Sequence, residues 1–175
     1  IAEKVLGPEH PVTAPTLNNL ALLLGDRGDY AGAEPLFRRA LAINEKALGP
    51  QHPKTALALN NLAELLRSKG DYAAAEPLYR RAVAIAEKAL GPQHPETALA
   101  LNNLAELLRS KGDYAGAEPL FRRALATNEK ALGPEHPSTA TSLDYLAGLL
   151  ASKGDYAGAE PLFRRALAID EKALG

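Results

Sequence analysis

Four histidines recur along the chain, each followed by proline, and imidazole is a common zinc ligand. They are His10, His52, His94 and His136, and their spacing along the sequence is constant. If each stretch of 42 residues forms one layer of an array, neighbouring histidines lie on the order of 15–20 Å apart. A zinc ion, in contrast, holds its ligands at about 2 Å. The spacing therefore favours histidine–proline pairs that begin helices. We expect no metal and no cofactor.

Pairs of adjacent arginines recur with the same period and could bind phosphate; they are Arg38-Arg39, Arg80-Arg81, Arg122-Arg123 and Arg164-Arg165. A glutamate stands four residues before the first arginine of each pair and can neutralise it across one helical turn. The whole chain has 20 Lys and Arg against 21 Asp and Glu, so it has no strong field to attract nucleic acid or an anionic membrane. We expect a solvated outer face, with no nucleic-acid and no membrane partner.

The sequence offers no support for catalysis, and we expect no enzyme activity. The chain has no cysteine and no glycine-rich phosphate loop, and its histidines all lie next to proline in connecting segments. The absence of cysteine fits a reducing compartment, which we take to be the cytoplasm. No apolar run approaches the roughly 18 residues that a membrane span requires.

A repeat of 42 residues sets the spacing of the histidines and arginines, and it also defines the helices that position them. Residues 54–95 and 96–137 differ at seven of 42 positions. A period of this size indicates one supersecondary unit stacked many times. We expect a single array over residues 1–175: 1–11 end a preceding unit and its connector, repeats 1 to 3 cover 12–53, 54–95 and 96–137, and a truncated repeat 4 covers 138–175. Because the chain has no methionine, we interpret it as a piece of a longer array or a sequence designed after one.

Repeat 2 shows how each unit divides into two helices, which we name helix A and helix B. An apolar stripe at helical spacing predicts helix A over 53–69, after which Gly70 ends the helix and Asp71 caps the next one. Helix B is predicted to end near Leu90, before a glycine and a proline. Pro77 lies inside helix B and removes one backbone hydrogen bond, so we expect a slight bend or a 3₁₀-like first turn there.

The residues of repeat 2 resemble a tetratricopeptide repeat. Those that carry the resemblance are Leu59, Leu62, Ala63, Leu66, Gly70, Asp71, Tyr72, Ala75, Tyr79 and Ala82. The length of the unit is similar to that of the repeats of kinesin light chains and of bacterial multi-repeat proteins. The resemblance implies an all-α, right-handed superhelical solenoid of antiparallel helix pairs. It also implies a protein–protein interaction scaffold, here of bacterial origin, that binds a protein or peptide partner in a concave groove lined by the A helices.

The resemblance also implies which side chains line the groove. Carried over by position, they are Asn18, Asn19, Leu57, Asn60, Asn61, Glu64, Arg67, Leu99, Asn102, Asn103, Glu106, Arg109, Asp144 and Tyr145. Kinesin light chain grooves are basic and take peptides with acidic flanks. Here each Glu stands three residues before the Arg and is predicted to neutralise it, so that preference is not carried over.

Three questions stay open at the level of sequence. The asparagine pairs could clamp a peptide backbone, or they could bridge neighbouring repeats. Tyr145 could be an aromatic anchor for a partner, or it could reflect the ordinary drift of repeats 1 and 4 away from repeats 2 and 3. The array could recognise a partner, or it could be a spacer that associates end to end through its uncapped last helix.

Overall fold

The computed structural model describes residues 10–174, and in that part of the chain every regular element is a helix. The eight helices are α1 (Thr13–Asp26), α2 (Tyr30–Leu48), α3 (Pro53–Ser68), α4 (Tyr72–Leu90), α5 (Pro95–Ser110), α6 (Tyr114–Leu132), α7 (Pro137–Ser152) and α8 (Tyr156–Leu174). The odd-numbered helices are the predicted A helices and the even-numbered ones are the B helices. The chain divides into two compact units, which are unit 1 (Ile1–Ala89) and unit 2 (Leu90–Gly175).

His52, His94 and His136 each begin a helix A, in place of the Asp, Asn or Ser that usually does so, whereas Val12 precedes α1. In α3 the backbone of His52 is extended, and its Nδ1 atom accepts a hydrogen bond of 3.1 Å from the backbone N–H of Lys54. Pro53 follows as the first helical residue, where a missing N–H costs nothing. His94 and His136 cap α5 and α7 in the same way. The histidines therefore have a local structural role, which the proline after each of them had indicated.

The turn between the two helices of a repeat follows the predicted glycine and aspartate. Helix α3 ends at Ser68, one residue before the predicted Lys69, and Gly70 has the positive φ of 79° that the tight turn requires. The carboxylate of Asp71 then accepts a hydrogen bond of 3.1 Å from the backbone N–H of Ala74. These bonds satisfy backbone groups that would otherwise be left free at the two helix ends.

Helix α4 continues as an α-helix through its internal proline, without the predicted 3₁₀-like turn. Pro77 deprives the carbonyl of Ala73 of its usual donor. Both residues are exposed, so water can reach that carbonyl. Water can therefore replace the missing donor, and the α-helix continues on both sides of Pro77.

The core of each helix pair consists of small and branched apolar side chains from facing helices. In unit 1, Ala56 and Leu59 of α3 pack against Ala82 and Ile85 of α4, and unit 2 has the equivalent cluster between α7 and α8. Ala82 has no exposed surface, as expected of a position where two helices approach closely. In α3 the stripe that faces this core leaves Leu57 and Glu64 exposed.

Candidate partner-binding surface

Half of the predicted groove residues lie on α1 and α3, whose exposed side we call the helix-A face of unit 1; the exposed side of α5 and α7 is the helix-A face of unit 2. Leu59, Leu62 and Leu66 point into the core, whereas Leu57 and Glu64 lie on a different side of the helix and are exposed. Leu57 is 55% exposed, which is unusual for a large apolar side chain. Asn19 and Glu64 are also exposed, and Asn18 and Asn61 are half-buried.

Two hollows lie along this face of unit 1. The first has a volume of about 260 Å³ and is lined by Ala14, Pro15, Asn18, Asn19, Ala40, Asn44, Lys54, Leu57 and Ala58. The second, of about 370 Å³, is lined by Ala21, Leu22, Gly25, Asp26, Tyr30, Phe37, Asn61, Glu64, Leu65 and Ser68. Unit 1 thus brings most of its predicted groove positions together around two concave sites, although Asn60 and Arg67 line neither of them.

The predicted asparagine pairs form a bridge between the two A helices of unit 1. Nδ2 of Asn61 donates a hydrogen bond of 2.7 Å to Oδ1 of Asn18. This bond joins α1 to α3 and fixes the orientation of both amides. Asn18 and Asn61 therefore support the floor of the helix-A face, while the neighbouring Asn19 is exposed and makes no such bridge to α3.

The equivalent asparagine in unit 2 is inaccessible to any partner. Asn102 is only 2% exposed, and its Nδ2 donates to Oγ of Ser142 at 3.2 Å. Ser142 also accepts a bond of 3.0 Å from Nδ2 of Asn128. The prediction that Asn102 contacts a partner is corrected here, because the neighbouring A helix covers its amide.

The other predicted residues of unit 2 differ in exposure. Leu99 is 50% exposed, as Leu57 is in unit 1. Asp144 is exposed as a residue. Partial desolvation of its carboxyl group, together with the nearby Asp170, raises the pKa of that carboxyl. Asn103 is half-buried.

Tyr145 lies against the aromatic side chain of the preceding helix B. Its ring stacks on that of Phe121, with centroids 5.6 Å apart and planes inclined by 10°. Phe121 is fully buried beneath it, and Tyr145 is half-buried. In this structure Tyr145 therefore packs within the protein, which leaves only part of its ring for a partner.

The predicted ion pairs between Glu and Arg on the A helices are present in both units. The carboxylate of Glu64 accepts from the guanidinium of Arg67 at 2.5 Å, and that of Glu106 accepts from Arg109 at 2.6 Å. Glu64 also accepts a hydrogen bond of 2.7 Å from the buried hydroxyl of Tyr79. Burial works to raise the pKa of Glu64, but the two donors outweigh it and hold the pKa below its usual value.

The arginines of the B helices are structural, and they do more than the sequence indicated. The first of each pair bonds the glutamate one turn earlier, as Arg38 does with Glu34 at 2.9 Å. In two pairs the second arginine reaches back to the preceding repeat: Arg81 pairs with Glu45 at 2.6 Å, and Arg165 pairs with Glu129 at 2.6 Å. A further bond of 3.5 Å joins Arg81 to the carbonyl of Pro50 in the connector. Both acceptors belong to another repeat, so a sequence read one repeat at a time does not reveal these contacts.

Lysines at the ends of the A helices make a second set of bridges between repeats. Lys69 pairs with Glu34 of the preceding helix B at 2.5 Å, and Lys153 pairs with Glu118 at 2.5 Å. In each case the lysine, followed by the arginine one turn away, lowers the pKa of the glutamate. These bonds tie the outer surface together within each unit.

Metal binding and membrane insertion find no structural counterpart in residues 10–174. Over that range, no three His, Cys, Asp or Glu side chains lie close enough to hold a metal ion. The helices over the same range are all too short or too polar to span a bilayer.

A family model for the tetratricopeptide repeat matches residues 1–46, 14–88, 56–130 and 96–172, which overlap to cover nearly the whole chain. The chain belongs to the tetratricopeptide repeat family. The predicted resemblance is thereby confirmed, and the predicted all-α array of helix pairs with it. None of the curated proteins matches the chain.

Solved structures similar to this chain include a protein described as a kinesin light chain. It comes from Podosopora anserina and has nearly identical TPR-like repeats; it is 28% identical, with a TM-score of 0.81 over 99% of this chain and 82% of that protein. BtubC (BKLC) from P. vanneervenii is 26% identical, with a TM-score of 0.80 over 93% of this chain and 65% of that protein. Aspartyl phosphate phosphatase F from Bacillus subtilis is similar in fold alone, at 18% identity and a TM-score of 0.80 over 94% of this chain and 42% of that protein.

Proposed function

We propose that this chain is a non-catalytic scaffold that binds an extended segment of a partner protein along its helix-A faces. The observation that supports the proposal most is the pair of hollows in unit 1, which lie side by side on α1 and α3 next to the exposed Leu57. Such concave sites, partly apolar and edged by a few polar groups, are typical of binding sites. The absence of cysteine fits a bacterial cytoplasm as the place where the scaffold works.

The composition of the face suits an extended peptide. Exposed Asn19 and half-buried Asn103 each offer a carboxamide that can both donate to and accept from a peptide backbone. Leu57 and Leu99 supply apolar contact, and truncating an anchor that acts as a hot spot at such a site costs about 2 kcal/mol or more. Polar groups would set the register of the segment, and the leucines would supply most of the affinity.

The test begins with peptides selected from a random display library against the chain. Leu57→Lys and Leu99→Lys place a charge on the helix-A faces, while Ala84→Lys and Ala126→Lys place the same charge on exposed positions of helices B. We expect the leucine variants to weaken the selected peptides by roughly tenfold or more, and the alanine variants to leave the affinity unchanged. Equal effects of both sets would refute the proposal.

End-to-end association is a second candidate, and exposed apolar residues on α8 favour it. Phe163 is 42% exposed and Leu167 is 57% exposed, whereas Phe121 at the equivalent place in α6 is fully buried under α7. Helix α1 shows a complementary surface, because Leu20 and Leu23 are 45% and 55% exposed. A second copy of the chain could therefore lay its α1 on α8, as a further repeat would.

Sedimentation velocity over a range of protein concentrations tests this association. We expect the chain to form concentration-dependent oligomers that Phe163→Glu abolishes. Ala168→Glu, at an exposed position of the same helix, is the matched control and should leave them intact. A strict monomer at high concentration would exclude the association.

A further inference from the structure

The larger hollow of unit 1 has a filled counterpart in unit 2. A shift of two repeats along the sequence takes Asn61 to Tyr145, Gly25 to Arg109 and Glu64 to Gly148. In unit 2, the Tyr145 ring stacks on Phe121, the equivalent of Phe37. The same structural position is thus open in one unit and occupied by the protein's own side chains in the other.

A guanidinium completes the filling in unit 2. Nη1 of Arg109 lies 3.3 Å from Oγ of Ser152 and donates to it. It also lies 4.0 Å from where a Cβ on Gly148 would be, so the guanidinium lies beside the glycine that stands at the place of Glu64. An aromatic ring and a neighbouring cation together fill this position.

Unit 1 lacks both parts of that filling and has acidic groups around the space. Asn61 is smaller than a tyrosine and is held away by its bond to Asn18. Gly25 has no side chain to extend into the hollow of about 370 Å³. Asp26 and Glu64 line the hollow, and no Lys or Arg lines it. Glu64 already accepts from Arg67, whereas Asp26 is exposed and makes no ion pair among the described residues.

We propose that this hollow binds an aromatic side chain of the partner, a tyrosine or phenylalanine, that is flanked by an arginine or lysine. The ring would pack over the floor formed by Phe37 and Leu65, as Tyr145 does over Phe121, and the cation would pair with Asp26 at the edge. The inference rests on the proposed function and adds the chemistry of one subsite to it. Charge complementarity distinguishes this occupant from an aromatic residue with acidic neighbours, which the carboxylate of Asp26, unpaired within residues 10–174, would repel.

Three blocked peptides test the proposal by NMR titration of the chain. They are Gly-Gly-Arg-Tyr-Gly-Gly, the same peptide with Glu for Arg, and the same peptide with Leu for Tyr. We expect the Arg-Tyr peptide to shift the amide signals around Phe37 and Gly25, with an affinity roughly tenfold above that of either control. Equal binding of the three peptides would overturn the proposal.

A variant that copies the filling of unit 2 supplies the decisive control. Asn61→Tyr combined with Gly25→Arg should abolish binding of the Arg-Tyr peptide in a variant that still unfolds cooperatively, although the bond from Asn61 to Asn18 is lost. A Cβ added at Gly25 would lie 3.6 Å from the Leu65 side chain, an ordinary contact, and arginine is a better helix former than glycine. Binding that survives in this folded variant would overturn the proposal.

Asp26→Ser, which introduces the residue that unit 2 has at this place, covers the case in which the double variant does not fold. It changes an exposed side chain and should bring the affinities of the Arg-Tyr and Glu-Tyr peptides to within roughly twofold of each other. A selectivity that persists would count against the charge argument.

The library-selected peptides separate this inference from the proposed function. If Leu57→Lys weakens them while the three blocked peptides bind equally, only the inference fails, whereas indifference to Leu57→Lys refutes the proposed function itself.

Discussion

Replacing Ser142 by alanine should destabilise unit 2, because it leaves the buried side-chain amide of Asn102 without a hydrogen-bond acceptor. The Ser142 hydroxyl accepts a hydrogen bond from Nδ2 of Asn102. Because Asn102 is only 2% exposed, water cannot replace that acceptor. Asn128 keeps a second acceptor, the carbonyl of Ser138 at 3.1 Å. The substitution therefore strands one buried amide donor, at a cost of about 1–3 kcal/mol.

The net effect is smaller, because alanine is the better helix former by about 0.5 kcal/mol. We expect a loss of about 0.5–2.5 kcal/mol in the free energy of unfolding. With a urea slope of about 2 kcal/mol/M, the midpoint moves down by about 0.2–1.2 M. Ser110→Ala, at an exposed position on the neighbouring helix A, should change the free energy of unfolding by less than about 0.5 kcal/mol.

Unit 1 shows how the loss can be compensated. There Ala58 stands at the place of Ser142, and the amides of Asn18 and Asn61 bond to each other. Tyr145→Asn should place an amide opposite Asn102 whose Oδ1 can accept from the stranded Nδ2, so Ser142→Ala should cost about 1 kcal/mol less in that background than in the parent chain. An equal cost in both backgrounds, measured in a double-mutant cycle by urea unfolding, would refute the reasoning.

Three further predictions concern the connectors and the outer surface. His52→Ala should lower the free energy of unfolding by about 0.5–2 kcal/mol through loss of the cap, while His52→Asn should restore most of it, as thermal unfolding of the two variants will show. Arg81→Met, which removes a bridge to the preceding repeat, should cost up to about 1 kcal/mol, against about 0.3–0.5 kcal/mol for Arg80→Met on the same helix; equal urea midpoints would contradict the bridging role. Because the pKa values of Glu34 and Glu118 are lowered in the folded state, their contribution to stability is present above the usual glutamate pKa and is lost as the pH falls through the lowered values. Melting temperatures measured from pH 6 down to about pH 3 should therefore fall, and a flat profile would contradict these ion pairs.

Helix boundaries and the fold could be predicted from the sequence because their causes are local. The end of α3 differs from its prediction by one residue, and α4 ends at Leu90 as expected. Gly70 and Asp71 determine the turn by their own conformational preferences, whatever surrounds them. Repetition of the same signals in every unit made the array predictable as well.

The state of the individual groove residues could not be predicted, because it depends on pairs of residues in different repeats. Asn18 and Asn102 occupy equivalent positions, yet Asn18 is half-buried and bonded to Asn61 while Asn102 is buried beneath α7. The difference follows from the residues at 142 and 145, which lie one repeat further along. The different residues at the equivalent positions 61 and 145 indicated that the two units differ there. Only the structure shows that the Tyr145 ring stacks on Phe121 and fills the hollow of unit 2.

The central claim is that a partner segment lies on the helix-A faces, and mapping of amide chemical shifts with a library-selected peptide tests it most directly. We predict that the largest changes fall on α1 and α3 around Asn19, Gly25 and Leu57. Changes concentrated instead on the exposed side of the B helices, around Arg38 and Arg122, would contradict the account.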